Sequence, residues 1–140
     1  GGARLAGVAL GRPDPKAPQL GLDPQHTFKA GDVIGLRTFW NVEQPFEHDY
    51  FVFVHVLDAA NNTVAQRDTP PWQGRFPTSS WRAGSRVVDV NDVALPPGLP
   101  PGEYTVVVGM FDPASGARPP ISQGGRSIDV VQIGRIEIEP

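Results

Sequence analysis

The chain has 140 residues, among them 16 Gly, 16 Pro, one Met and no Cys, and a formal net charge of −3. Gly and Pro together reach roughly twice their usual share, and since Pro clashes inside a helix and Gly weakens one, a mainly helical protein is excluded. So are a disulfide framework, a thiolate metal site and a Cys nucleophile, whereas 39% hydrophobic residues, with three Trp and seven Phe, exclude disorder.

The 12 basic residues are scattered, the wrong pattern for a phosphate backbone, so no nucleic-acid partner is expected. No apolar run approaches the roughly 20 residues that cross a bilayer, so direct membrane insertion is not expected either. The chain opens Gly1-Gly2-Ala3-Arg4 and its one Met is Met110. The expectation is a single domain over residues 1–140, excised from a longer protein.

In chain order, Arg4 to Leu10 reads as a strand with Ala6, Val8 and Leu10 on one face. Gly11 to Asp32 carries Pro13, Pro15, Pro18 and Pro24 and reads as an ordered, irregular excursion. Val33 to Trp40 is the next strand, with Ile34, Leu36 and Trp40 together. Phe46 to Thr69 is the one long stretch free of Gly and Pro, and it predicts a central hairpin. Its first arm, Tyr50 to Leu57, is aromatic and β-branched, the composition of a strand buried on both faces. Two registers are open. A two-residue turn at Asn61-Asn62 sets His55 opposite Asp68, whereas Asn61 in the left-handed position after a type I turn sets His55 opposite Ala65.

Pro70 to Ser85 follows as a long loop, then a strand from Arg86 to Leu95 whose Asn91-Asp92 suggests a bulge. Leu95 to Gly102 is a Pro-rich double turn, read as a rigid connector rather than a polyproline ligand. Glu103 to Phe111 is the second strong strand, with Tyr104, Val106, Val108 and Met110 on one side. A Gly-assisted turn at Asp112 to Gly116 comes next. Ser127 to Ile133 breaks the alternation, and Arg135 to Glu139 reads as a strand with one wet face. Seven to eight short strands without a helix predict an all-β fold, an antiparallel β-sandwich of immunoglobulin-like or jelly-roll-like kind.

Three constellations could carry chemistry. Ser79 or Ser80 with His55 and Asp68 makes a triad on paper, but Thr78-Ser79-Ser80-Trp81 lacks the Gly pattern of a nucleophile elbow, so no catalytic residue is expected. Asp89, Asn91 and Asp92, or Asp58 and Asp68, offer oxygen ligands, yet without the Gly and distal Glu of an EF-hand loop, and His26, His48 and His55 lack zinc spacing. No metal or cofactor is expected. The third is the loop bearing Trp72, Arg75, Phe76, Trp81 and Arg82, whose aromatic faces and guanidinium donors could bind a sugar ring. Against that stands the reading that the loop seals an open end of the sandwich, with Trp81 plugging the core and Trp72 left as the exposed ring.

From Phe28 to Ile138 the order of motifs resembles a Chloroflexi-type bacterial β-sandwich domain found alone or at the C-terminus of membrane glycosyltransferase-like proteins related to protein mannosyltransferases. The motifs are Phe28-Lys29-Ala30-Gly31-Asp32, Phe53-Val54-His55-Val56-Leu57-Asp58, Gln66-Arg67-Asp68, Pro77-Thr78-Ser79-Ser80-Trp81, Leu99-Pro100-Pro101-Gly102-Glu103-Tyr104 and Val108 to Arg118. The resemblance implies the fold and an extracytoplasmic address, in the cell envelope or secreted, with a membrane protein as parent. It carries over no catalytic residue. The resulting expectation is a non-catalytic accessory module that binds or positions glycan or a partner protein. The alternative is a purely structural or assembly domain in which the Arg135–Glu139 strand, if unpaired, adds a second copy at its edge. An enzyme is the last reading, requiring His55, Asp68 and a Ser to converge.

Overall fold

The computed structural model of the chain describes residues 2–14, 16, 21–123 and 126–140. Eleven strands are described: β1 (Gly2–Pro13), β2 (Leu22–Pro24), β3 (Thr27–Phe28), β4 (Val33–Gln44), β5 (Phe51–Leu57), β6 (Thr63–Thr69), β7 (Arg86–Ala94), β8 (Gly102–Phe111), β9 (Ile121–Gln123), β10 (Arg126–Ile128) and β11 (Val131–Ile138). One sheet runs β10-β9-β1-β4-β7 with β2 added on β1, and the other runs β3-β11-β8-β5-β6. The all-β sandwich expected from the sequence is present. It has more strands than seven or eight, and its sheets are mixed, because β1–β9 and β3–β11 pair in parallel. Pro15 and Pro18 of the 11–32 excursion lie outside the described residues, and β2 and β3 are short strands within the rest of it.

Alternation builds the core. In β4 the even-numbered Ile34, Leu36, Trp40 and Val42 point inward; in β8 Tyr104, Val106, Val108 and Met110 do, and in β11 Ile136 and Ile138. Trp40, Trp81 and Phe28 are the bulkiest apolar members of this single cluster.

Several details depart from the sequence reading. A register shift between Leu5 and Gly7 leaves Ala6 exposed and moves the inward positions of β1 from odd to even numbers, so Ala3, Leu5 and Leu10 are buried; Val8 shares the face of Leu10, opposite Thr38, yet is exposed. The expected bulge at Asn91-Asp92 is absent, since β7 keeps a continuous register with β4 from Arg86 to Ala94. The Arg135–Glu139 strand has no free edge at its end: Glu137 and Ile138 pair with Thr27 and Phe28, and the Glu139 amide donates to the Phe28 carbonyl.

The hairpin follows neither register along its whole length. Asn61 is left-handed, with φ 65°, and Leu57 faces Thr63 as the type I alternative requires. A bulge between Val56 and Leu57 then shifts the pairing by one, so His55 faces Gln66 and Phe53 faces Asp68. Asp58 ties the turn by accepting the amides of Ala60 and Asn62, and the Asn62 amide above all holds its carboxyl below the ordinary carboxylate range.

Candidate functional site

The odd-numbered face of β5 points away from the core. Phe51, Phe53, His55 and Leu57 stand there beside Phe111 of β8. Phe53 is 3% exposed yet does not belong to the central cluster, so it is buried on the outside of the sandwich. Its ring lies 4.9 Å from His55 and 6.3 Å from Phe111, and the Arg118 guanidinium stacks over it at 4.7 Å. Gly109 makes this possible, because a Cβ there would overlap the Phe53 ring and come within 2.7 Å of the Asp129 carbonyl.

Around that ring is an open cleft of about 250 Å³ lined by Phe53, His55, Asp68, Phe111, Gly116 and Arg118. The His55 Nε2 stands 3.6 Å from Asp68 Oδ1, an ion-pair separation once the ring is protonated but too long for a formed hydrogen bond. Gln66 Nε2 donates to the other carboxylate oxygen at 3.2 Å. The bulge makes the pair: it moves Asp68 one position, so the two side chains meet diagonally across the ladder.

Arg118 is set by the turn before it. Asp112 accepts the Ala114 amide and the Ser115 hydroxyl, and the Gly116 amide, at φ 78°, donates to the Asp112 carbonyl. The Asp112 amide in turn donates to Ala117, closing the loop one residue before Arg118. Among the described residues Arg118 is exposed and makes no hydrogen bond or ion pair.

The five residues singled out in the 72–82 loop are not gathered into one surface. Trp81 is 1% exposed, packed against Trp40, Phe46 and Phe76, with its indole donating to the Phe76 carbonyl at 3.1 Å. It plugs the core and offers no face for stacking. Trp72, expected as the exposed ring, is half-buried against the outer strand β7: its indole donates to the Val88 carbonyl at 2.6 Å and its amide to Asp89 at 3.1 Å. Those two bonds hold Trp72 at φ 52° and Gln73 at 57°, a left-handed conformation bulky residues avoid. Arg75, Phe76 and Arg82 remain exposed.

The other constellations also separate. Ser79 and Ser80 lie in a short 3₁₀ turn, where Ser80 donates to the Pro77 carbonyl, and neither lines the His55–Asp68 cleft. Asp89 and Asn91 point into the sandwich, whereas Asp92 lies on the other face and pairs with the buried Arg37 at 2.9 Å. Burial pushes the Asp89 carboxyl above its ordinary range, opposed by the Trp72 amide and the Asn91 side chain. Among the described residues no group of three His, Asp or Glu side chains assembles for a metal.

Fold and cleft together define a β-sandwich domain with a polar depression beside aromatic rings on an outer sheet face. No protein-family model matches the sequence, and neither does any curated protein. Among solved structures, the C-terminal domain of Wzt superposes with a TM-score of 0.63 at 10% identity, over 100% of this chain and 75% of that one. The alkylpurine DNA glycosylase AlkC of Pseudomonas fluorescens, bound to DNA containing an abasic site analog, superposes at 0.52 with 11% identity, over 99% of this chain and 30% of that one. At such identities both likenesses establish the fold alone. No described helix is long and apolar enough to cross a membrane.

Proposed function

We propose that this chain is a non-catalytic recognition module whose binding surface is the cleft on the outer face of β5, with glycan as its ligand class. The observation that carries this is the composition of the cleft: the partly exposed Phe111 ring beside the polar groups of His55, Asp68 and Arg118, with Phe53 buried beneath them. A sugar ring has an apolar face and a rim of hydroxyls, so it matches a site that stacks below and hydrogen-bonds at the sides. The volume suits about one ring, with the rest of a chain in solvent. The cleft lining holds no Ser, Thr or Cys, and in this reading the His–Asp pair orients and hydrogen-bonds sugar hydroxyls. Trp72 and Trp81 serve the fold in this reading, one at the β7 edge and one in the core. The motif order from Phe28 to Ile138 supports a parent protein of the cell envelope.

The test is an NMR titration of the labelled domain with a panel of monosaccharides and short oligosaccharides. Shifts should centre on His55, Asp68 and the 112–118 turn, and His55→Ala with Asp68→Ala should abolish them. Both side chains are partly exposed, so the double variant should keep its melting temperature within a few degrees. Shifts centred on Arg75 and Phe76 instead would move the site to the 72–82 loop. No response to any saccharide would leave the structural or assembly reading.

A further inference from the structure

Among the described residues the cleft holds a cation, Arg118, without an ion-pair partner. Asp68 shares its two oxygens between His55 and Gln66, and Asp112 spends its carboxylate on the Ala114 amide and the Ser115 hydroxyl. Among the described residues neither acid comes within ion-pair distance of Arg118, whose guanidinium lies over the Phe53 ring at 4.7 Å. An Arg braced on a ring, with its donor fork free, is preorganised for a planar oxyanion at the rim. Little side-chain entropy then remains to be lost on binding.

Resting on the glycan reading above, we infer that the ligand of this cleft is an acidic saccharide whose carboxylate is bound by Arg118 while its ring lies against Phe111. Gly109 and the Asp112-capped turn are the positioning devices, one letting Phe53 lie flat on the sheet and the other fixing where Arg118 leaves the backbone. His55 and Asp68 then meet hydroxyls on the opposite rim. A neutral sugar would leave the Arg118 fork unpaired, and a free carboxylate without a ring would forgo the contact with Phe111.

The experiment compares methyl β-D-glucuronide with methyl β-D-glucoside by NMR titration, in wild type and in the Arg118→Gln and Arg118→Lys variants. In wild type the glucuronide should bind about 10-fold or more tightly than the glucoside, the size of a charge-assisted, bidentate contact. Arg118→Gln should remove that ratio, and Arg118→Lys should keep only part of it, since a point charge lacks the fork. Raising the ionic strength should weaken the glucuronide alone. Equal affinities in wild type, or a ratio unchanged by Arg118→Gln, would overturn the acidic-ligand inference and leave the glycan reading intact. Failure of both sugars to shift any cleft resonance would overturn both.

Discussion

Trp72→Ala separates a stacking ring from a structural one. In the structure the ring is half-buried against β7, and its N–H caps the Val88 carbonyl at the sheet edge. A Trp buries about 150–250 Å² when fully enclosed, so about 100 Å² is at stake; at about 25 cal/mol per Å² that is about 2.5 kcal/mol. The lost indole hydrogen bond adds about 1 kcal/mol. The bond from the residue-72 amide to Asp89 survives, because it is made by backbone. The sum, about 3–4 kcal/mol, should lower the melting temperature of a domain this size by about 10–15 °C. Trp72→Phe keeps most of the ring and loses the donor, so it should cost about 1 kcal/mol and about 3–4 °C. Differential scanning calorimetry measures both, and light scattering follows any edge-to-edge association of the uncovered β7. A Trp72→Ala melting point within about 2 °C of wild type would refute this account and return the ring to a ligand-stacking role.

Two further predictions concern the interior. Trp81→Ala should cost about 3–5 kcal/mol, because the ring is enclosed by Trp40, Phe46 and Phe76, whereas Phe76→Ala should cost less, about 2 kcal/mol, its residue being 37% exposed; chemical denaturation gives both. Asp89 makes stability depend on pH. Burial raises its carboxyl above the ordinary carboxylate range, so the folded state holds its proton longer than the unfolded chain. Its contribution to stability is therefore greatest below 3.8 and is lost as pH rises through the folded-state value. Urea titrations between about pH 3.5 and 7 should show wild type losing stability relative to Asp89→Asn as pH rises, and parallel curves would contradict the assignment.

The candidate cleft was only half legible in the sequence. The alternation in Phe51-Val52-Phe53-Val54-His55-Val56 reads as a strand buried on both faces, which Phe53 bears out. The signal that went unused is that its odd positions hold two Phe and the His, while its even positions hold only Val. Gly109 inside a strong strand was a second signal, and its reason is the ring lying across it. The 72–82 loop misled in the other direction. Two Trp among Arg and Ser look like a recognition loop, yet Trp81 is drawn inward by Trp40 and Phe46, and Trp72 is drawn to an edge carbonyl 16 residues away.

What the amino-acid order determined alone is the local layer. Abundant Gly and Pro forbid helices and punctuate the chain, and period-two runs choose β4, β5, β8 and β11 and the core faces of β4, β8 and β11, because these choices depend on neighbours a few residues apart. The tertiary structure decided everything that hangs on register and on distant pairing. A single-residue bulge beside Leu57 brings His55 to Asp68, another beside Leu5 turns Ala6 outward and sets Leu10 on the face of Leu5, and β3 covers the end of β11. A one-residue slip reverses every side chain beyond it, and sequence periodicity does not record where such a slip falls. The Gly and Pro content thus sets the boundaries of the strands, whereas the placing of two bulges and one parallel pair sets what those strands present to solvent.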